Sequence, residues 1–180
     1  MFSLFMGLWS YWFSKAELHL LIVGLDDAGK TVRALTLLEQ LKGIFGRKPG
    51  IPLDKIPPTV GLNIARVDIR RSRVIFWDLG GQERLRAIWN KYYSESHGIV
   101  FVVDSANEAR FEEAKHTLHA MLDNTELSGV PLLVLANKID LERMHRMDRE
   151  GIEAAMNWLV DAVKASDRYY EKSSIGGWND

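Results

Sequence analysis

Eight consecutive residues, Gly24-Leu25-Asp26-Asp27-Ala28-Gly29-Lys30-Thr31, have the types and spacing to hold a polyphosphate. They fit the pattern G-x-x-x-x-G-K-[ST] with no mismatch. Gly24 and Gly29 let the backbone curl with no Cβ in the way. Backbone amides of the loop can then turn toward phosphate oxygens, Lys30 can reach the outer phosphates, and the Thr31 hydroxyl can ligate Mg²⁺. Farther along, Asp78 ends an apolar run and is followed by Gly80-Gly81-Gln82. That order suits a second contact to Mg²⁺ and a mobile glycine that feels a γ-phosphate. A third stretch is Asn137-Lys138-Ile139-Asp140. Its asparagine can both donate to and accept from a purine edge. Its aspartate can accept two N–H bonds from guanine, and adenine would leave that carboxylate unpaired. N-K-x-D alone is a weak match; after a phosphate loop and D-x-G-G-Q, in that order, it is strong.

Such groups need a scaffold that brings them together. Leu18–Val23 is a short apolar run that reads as a buried strand before the loop, and residues 32–42 read as a helix after it. Strand, glycine loop and helix together aim backbone amides and a positive helix end at an anion. Residues 43–58, rich in glycine and proline, read as a long surface loop. Gly61–Ile69 and Arg73–Leu79 read as strands joined by a turn at Arg70-Arg71-Ser72. Leu85–Tyr93 reads as a short aromatic-rich helix. Gly98–Val103 and Val130–Ala136 read as buried strands. Ala109–Leu122 reads as an amphipathic helix with Phe111, Ala114, Leu118 and Met121 on one face. Alternating strands and helices predict an α/β fold whose mostly parallel sheet carries helices on both faces. N-K-x-D then falls at the carboxyl edge, where open α/β sheets bind ligands.

The chain has 180 residues, a net charge of −1 and 47% apolar content, which suits a single domain with a sizeable core. That charge predicts no general attraction to nucleic acid, and the arginines at 70, 71 and 73 read as a solvated turn. There is no cysteine, so no disulfide or thiolate metal site. Residues 1–14 are strongly apolar, with Ser3, Gly7, Ser10 and Ser14 forming one narrow polar stripe at helical spacing. Two readings stand: an interfacial helix that inserts aromatics into a membrane, or a helix packed on the domain. The segment is too short to cross a bilayer. No signal peptide, N-myristoylation site or C-terminal prenylation signal is expected.

With Met1-Phe2-Ser3-Leu4-Phe5, Pro58-Thr59-Val60-Gly61-Leu62-Asn63-Ile64 and Phe76-Trp77-Asp78-Leu79-Gly80-Gly81-Gln82 added, the chain resembles a small GTPase of the Arf family, in its Arf-related branch and especially its plant-type members. The resemblance runs from residue 1 to about 140. It implies a Ras-like P-loop NTPase fold, with a membrane helix at 1–15, a GTPase domain at 16–166 and a polar tail at 167–180. It implies that Gly24, Asp26, Asp27, Ala28, Gly29, Lys30, Thr31, Thr59, Gly81, Asn137, Lys138 and Asp140 bind GTP or GDP. Mg²⁺ would be held by Thr31 and Thr59, with Asp78 acting through water, and Gln82 would orient the attacking water. Leu62, Trp77 and Tyr92 match the triad with which the family binds effectors, although Trp77 and Tyr92 can also be read as core. The implied partners are an exchange factor, a GTPase activator and effectors. Residues 1–14 would engage a Golgi membrane or a membrane-protein receptor there. The protein would be a monomer, cytosolic and peripheral on trans-Golgi membrane, hydrolysing GTP slowly without an activator.

Three features depart from that pattern. Val32–Leu35 looks like an insertion, which adds one turn to the helix. Asp27 brings an extra carboxylate to the phosphates. After Asp140 no Ser-Ala pair occurs, and Leu141–Glu150 leads directly into an apolar stripe of Ile152, Ala155, Met156, Leu159 and Val163. The family's last strand and its base-contacting loop are therefore expected to be missing. Residues 130–136 would then be an exposed apolar edge, and guanine nucleotide binding would weaken by about 10–100-fold. The alternative function is a nucleotide-poor variant that competes for partners and hydrolyses nothing useful.

Overall fold

The computed structural model describes residues 16–26, 28, 61–137 and 144–170, with the backbone alone at 144–150. The expected N-terminal helix, the helix at 32–42, the loop at 43–58 and residues 171–180 lie outside the described residues. The elements are β1 (Glu17–Gly24), β2 (Leu62–Ile69), β3 (Ser72–Leu79), α1 (Glu83–Arg86), α2 (Asn90–Tyr93), β4 (Gly98–Asp104), α3 (Phe111–Leu122), β5 (Leu132–Asn137) and α4 (Met144–Ala165). Their sheet has the order β2-β3-β1-β4-β5.

The apolar run of β1 takes the central place because both its faces are covered. Leu18 and Leu20–Val23 have no exposed surface, as expected for a strand inside a parallel sheet. It pairs in parallel with β3 on one side and β4 on the other, and β5 adds in parallel to β4. Among the described strands only β2 runs antiparallel, against β3. Their two-residue turn places Arg70 and Arg71 at φ 44° and 63°, the left-handed pair that matches strand twist in a tight hairpin.

Side chains alternate along each strand, so the sheet builds two cores. On one face Leu18, Leu20, Ile22, Phe76, Val100 and Val102 meet Ile152, Met156, Leu159, Val160 and Val163 of α4. Gly98 permits this close packing: a Cβ there would stand 2.8 Å from Leu20 Cδ2 and 2.9 Å from Val163 Cγ2. On the other face Leu21, Val23, Trp77 and Phe101 meet Trp89, Tyr93, Met121 and Leu127. Helices on both faces follow, as the alternation of elements predicts.

Four local expectations change. The single helix at 85–93 is two short ones joined by tighter turns, in which the Ile88 and Trp89 amides donate to Leu85 at 3.1 Å and Arg86 at 3.0 Å, and Trp89 Nε1 donates to the Gly80 carbonyl at 3.0 Å. Phe111 is not a core residue but 40% exposed; Ala114 and Met121 carry that face. The last helix begins at Met144, ahead of the apolar stripe, and Val160 joins that stripe while Ala155 is only half-buried. Beyond it, Asp167–Tyr170 make another helical turn, where Arg168 donates to the carbonyls of Ser96, Tyr93, Ser94 and Glu126.

Strand β5 is half-buried rather than buried, and Val134 is 48% exposed. Among the described residues β5 pairs only with β4 and forms the edge of a five-stranded sheet. Its exposure is that of an edge strand.

Phe76 is fully buried between β1 and β2. Phe76→Ala should lower unfolding free energy by about 3–5 kcal/mol, read by urea denaturation; a loss under about 1 kcal/mol would contradict this packing.

Candidate nucleotide-binding site

The parallel strands all point one way, so Gly24, Leu79, Asp104 and Asn137 end together on one edge. Gly24 begins the glycine loop at φ +149°, and a Cβ there would stand 2.2 Å from the Val102 carbonyl oxygen. No other residue fits that approach of β1 to β4, so the glycine sets where the loop leaves the sheet.

From there the described loop residues are tied to one another, to Gly81 and to Asn137. The Asp26 amide donates to the Gly81 carbonyl at 3.2 Å, and the Ala28 amide donates to Leu25 at 3.4 Å. Asn137 donates from Nδ2 to the Ala28 carbonyl at 2.8 Å, and its own carbonyl accepts from the Ser105 amide at 2.8 Å. The phosphate-loop motif and the first residue of N-K-x-D are thus in direct contact. Gly80 donates to Gly61 at 3.0 Å, which joins the residues after Asp78 to the segment that follows Thr59.

Asp78 sits at the end of β3, opposite Ile22 of β1, with no exposed surface. A carboxylate there puts a hard anionic oxygen beside the loop, which suits a divalent cation. The donor set therefore fits a Mg²⁺ nucleotide: a loop start that only glycine can make, a buried carboxylate next to it, and an asparagine bonded to the loop. Gln82 is exposed, and its Oε1 accepts from Arg84 Nε at 3.0 Å. Asp27, Gly29, Lys30, Thr31, Thr59, Lys138 and Asp140 lie outside the described residues.

Four side chains with no sequence signature gather at the loop. Arg110 donates from Nη1 to the Asp26 carbonyl at 2.8 Å and from Nη2 to its Oδ1 at 2.7 Å. Its Nε donates to Glu113 Oε2 at 3.0 Å. Arg86 donates from Nη2 to Glu113 Oε1 at 2.7 Å, from Nε to the Gly81 carbonyl at 3.0 Å and from Nη1 to Thr117 Oγ1 at 3.4 Å. The Arg110 guanidinium holds the Asp26 carboxyl below the usual carboxylate range, against a smaller opposing effect of burial. Hydrogen bonds from Arg110 and then Arg86 hold Glu113 down to about 2. Only the Arg110–Glu113 pair has a local spacing; Arg110 and Asp26 are 84 positions apart.

Of the expected effector triad, Leu62 is 39% exposed, Tyr92 is half-buried and Trp77 is buried. Trp77 stacks on His19 with centroids 4.5 Å apart and meets Tyr92 edge-on at 5.5 Å. Ile64, directly across from Trp77 and 45% exposed, extends the apolar surface that Leu62 starts. In this conformation Trp77 is the floor of that surface.

Residues 5–158 match the ADP-ribosylation factor family. ADP-ribosylation factor-related protein 1 of Bos taurus is 50% identical over 143 residues, 79% of this chain and 69% of its own length. The Homo sapiens protein of the same name gives the same figures. ADP-ribosylation factor-like protein 3 of Saccharomyces cerevisiae is 41% identical over 168 residues, 93% of this chain and 81% of its own. Among solved structures, the Arl6 BBS3 small GTPase from Trypanosoma brucei with bound GppNp superposes with a TM-score of 0.66 at 25% identity. That match covers 83% of this chain and 98% of the other.

A carboxyl whose pKa falls on folding stabilises the fold above its unfolded value and loses that contribution as pH drops through the folded one. For Glu113 the window runs from 4.5 down to about 2. Glu113→Gln should therefore flatten the acid side of the stability curve in that window, measured by thermal melts at stepped pH. Superimposable curves for the two proteins would contradict the contacts assigned to Glu113.

Proposed function

This chain belongs to the ADP-ribosylation factor family of small GTPases, and we propose that it is a guanine-nucleotide switch that couples GTP or GDP to recruitment on Golgi membrane. The observation that carries this reading is the junction at the carboxyl edge. The glycine loop is bonded to Gly81 through Asp26 and to Asn137 through Ala28. Three motifs far apart in sequence thus meet where one nucleotide could touch all of them. The Trypanosoma brucei relative with bound GppNp supports the same use of the fold.

In this proposal Lys30 and the loop amides bind phosphates, and Thr31, Thr59 and Asp78 (through water) hold Mg²⁺. The ion supplies charge neutralisation on the phosphates when bound. Gly81 would sense the γ-phosphate, in register with the loop through the Asp26 amide bonded to its carbonyl. Gln82 leaves Arg84 to orient water. Asn137 and Asp140 read guanine, with Lys138 flanking the base. Residues 1–14 form the membrane arm, the folded GTPase unit follows, and Leu62, Ile64, Trp77 and Tyr92 make the effector surface once the nucleotide has moved the hairpin. An exchange factor and an activating protein would set the slow intrinsic cycle. The protein would divide between cytosol and the trans-Golgi surface as a monomer.

A second reading has its own support. Helix α4 follows β5 closely, and β5 is an edge among the described residues, with Val134 exposed. A form lacking the base-contacting loop would hold nucleotide weakly and act as a competitor for partners or membrane.

Liposome flotation separates the two. With a non-hydrolysable GTP analogue the switch should float with vesicles at least about fivefold more than with GDP; equal binding in both states supports the competitor. Gln82→Leu should cut activator-stimulated turnover by about 100-fold or more, followed by phosphate release. Unchanged turnover would refute the role given to Gln82.

A further inference from the structure

The glycine loop carries its own negative charge into a site meant for phosphates. Asp26 lies inside G-x-x-x-x-G-K-T, two residues after Gly24, and its side chain is 41% exposed. A carboxylate there repels a nucleoside polyphosphate unless something cancels it. Arg110, on the short turn before α3, does so with two prongs, one on the carboxylate at 2.7 Å and one on the same residue's carbonyl at 2.8 Å. The second prong is not required for neutralisation. It fixes the plane of the Asp26 peptide, because a trans peptide carries its N–H opposite its C=O. Arg86 extends the arrangement to the Gly81 carbonyl at 3.0 Å and stands 3.7 Å from Asp26 Oδ1. Both arginines grip Glu113, one on each oxygen.

We propose that Arg110 and Arg86 are positioning residues for nucleotide binding: Arg110 cancels and orients Asp26 in the phosphate loop, and Arg86 holds Gly81 in register with it through Glu113. The inference rests on the nucleotide-switch reading and adds the residues that tune it. The cluster makes the loop and the γ-phosphate sensor one mechanical unit anchored on α3. Removing Arg110 exposes the carboxylate to the phosphates, and the triphosphate, with more charge near the loop, loses more affinity than the diphosphate.

The test is a charge-deletion cycle on the full chain, reading dissociation constants for GDP and a non-hydrolysable GTP analogue, together with melting temperatures of the nucleotide-free proteins. Arg110→Ala should weaken the GTP analogue about tenfold and GDP about threefold, with a larger effect at low salt. Asp26→Asn alone, which leaves the Arg110 charge uncancelled beside the phosphates, should tighten the GTP analogue more than GDP, and the Asp26→Asn/Arg110→Ala pair should recover most of the Arg110→Ala loss. Should Arg110→Ala fold poorly, Arg110→Gln keeps part of the stem and a donor while removing the charge, and the same recovery is expected. Arg86→Ala should speed hydrogen exchange across residues 79–86 of the nucleotide-free protein. Unchanged affinity in the Arg110 variants, or no recovery in the double variant, would overturn the proposal while leaving the switch intact. A wild type that binds neither nucleotide would overturn the switch reading and this inference with it.

Discussion

Strand β1 has a parallel neighbour on each side and no exposed apolar surface from Leu20 to Val23. The rest of the structure depends on that pairing. Because β3 and β4 run in its direction, Asp78 and Val102 arrive at the same edge as Gly24. The register leaves no slack: the missing Cβ of Gly24 is the only space between the loop's start and the Val102 carbonyl. Two cores, one under α4 and one under α2 and α3, keep the strands from shifting. A slip of one residue would send the side chains of each strand into the opposite core.

Much of this was legible in the chain. Uninterrupted apolar runs marked β1 and β4, since a strand covered on both faces needs no alternation. Two strand-like runs with Arg70-Arg71-Ser72 between them marked the hairpin, although Ser72 belongs to β3 and the turn is Arg70-Arg71 alone. The family was legible too, because its phosphate-loop, D-x-G-G-Q and N-K-x-D motifs each demand particular residue types at tight local spacing. What was not legible came from pairs with no local spacing. Trp89 bonds to Gly80 where the helical pattern breaks. Arg86 and Arg110 read as ordinary helix charges until folding brings Asp26, Gly81 and Glu113 to them. Trp77 reads either as an effector residue or as core, and the stack with His19 and the edge-on contact with Tyr92 settle it as buried.

The nucleotide edge and the β5 edge pull the functional reading in opposite directions. At the first, bonds from Asn137 and Asp26 preorganise the loop before a nucleotide arrives, which lowers the ordering cost of binding. At the second, an apolar strand with one described neighbour runs into the N-K-x-D motif proposed to read the base. Asn137 is the last residue of that strand. Its bond to Ala28 means that any loosening of the edge reaches the phosphate loop directly.

The most direct test of the account is an equilibrium titration of the purified chain with GDP, GTP and ATP, with and without Mg²⁺. The account predicts Mg²⁺-dependent binding of GDP and GTP, with ATP weaker by about 100-fold or more, since adenine leaves the Asp140 carboxylate unpaired. Binding of all three nucleotides alike, or of none, would contradict it.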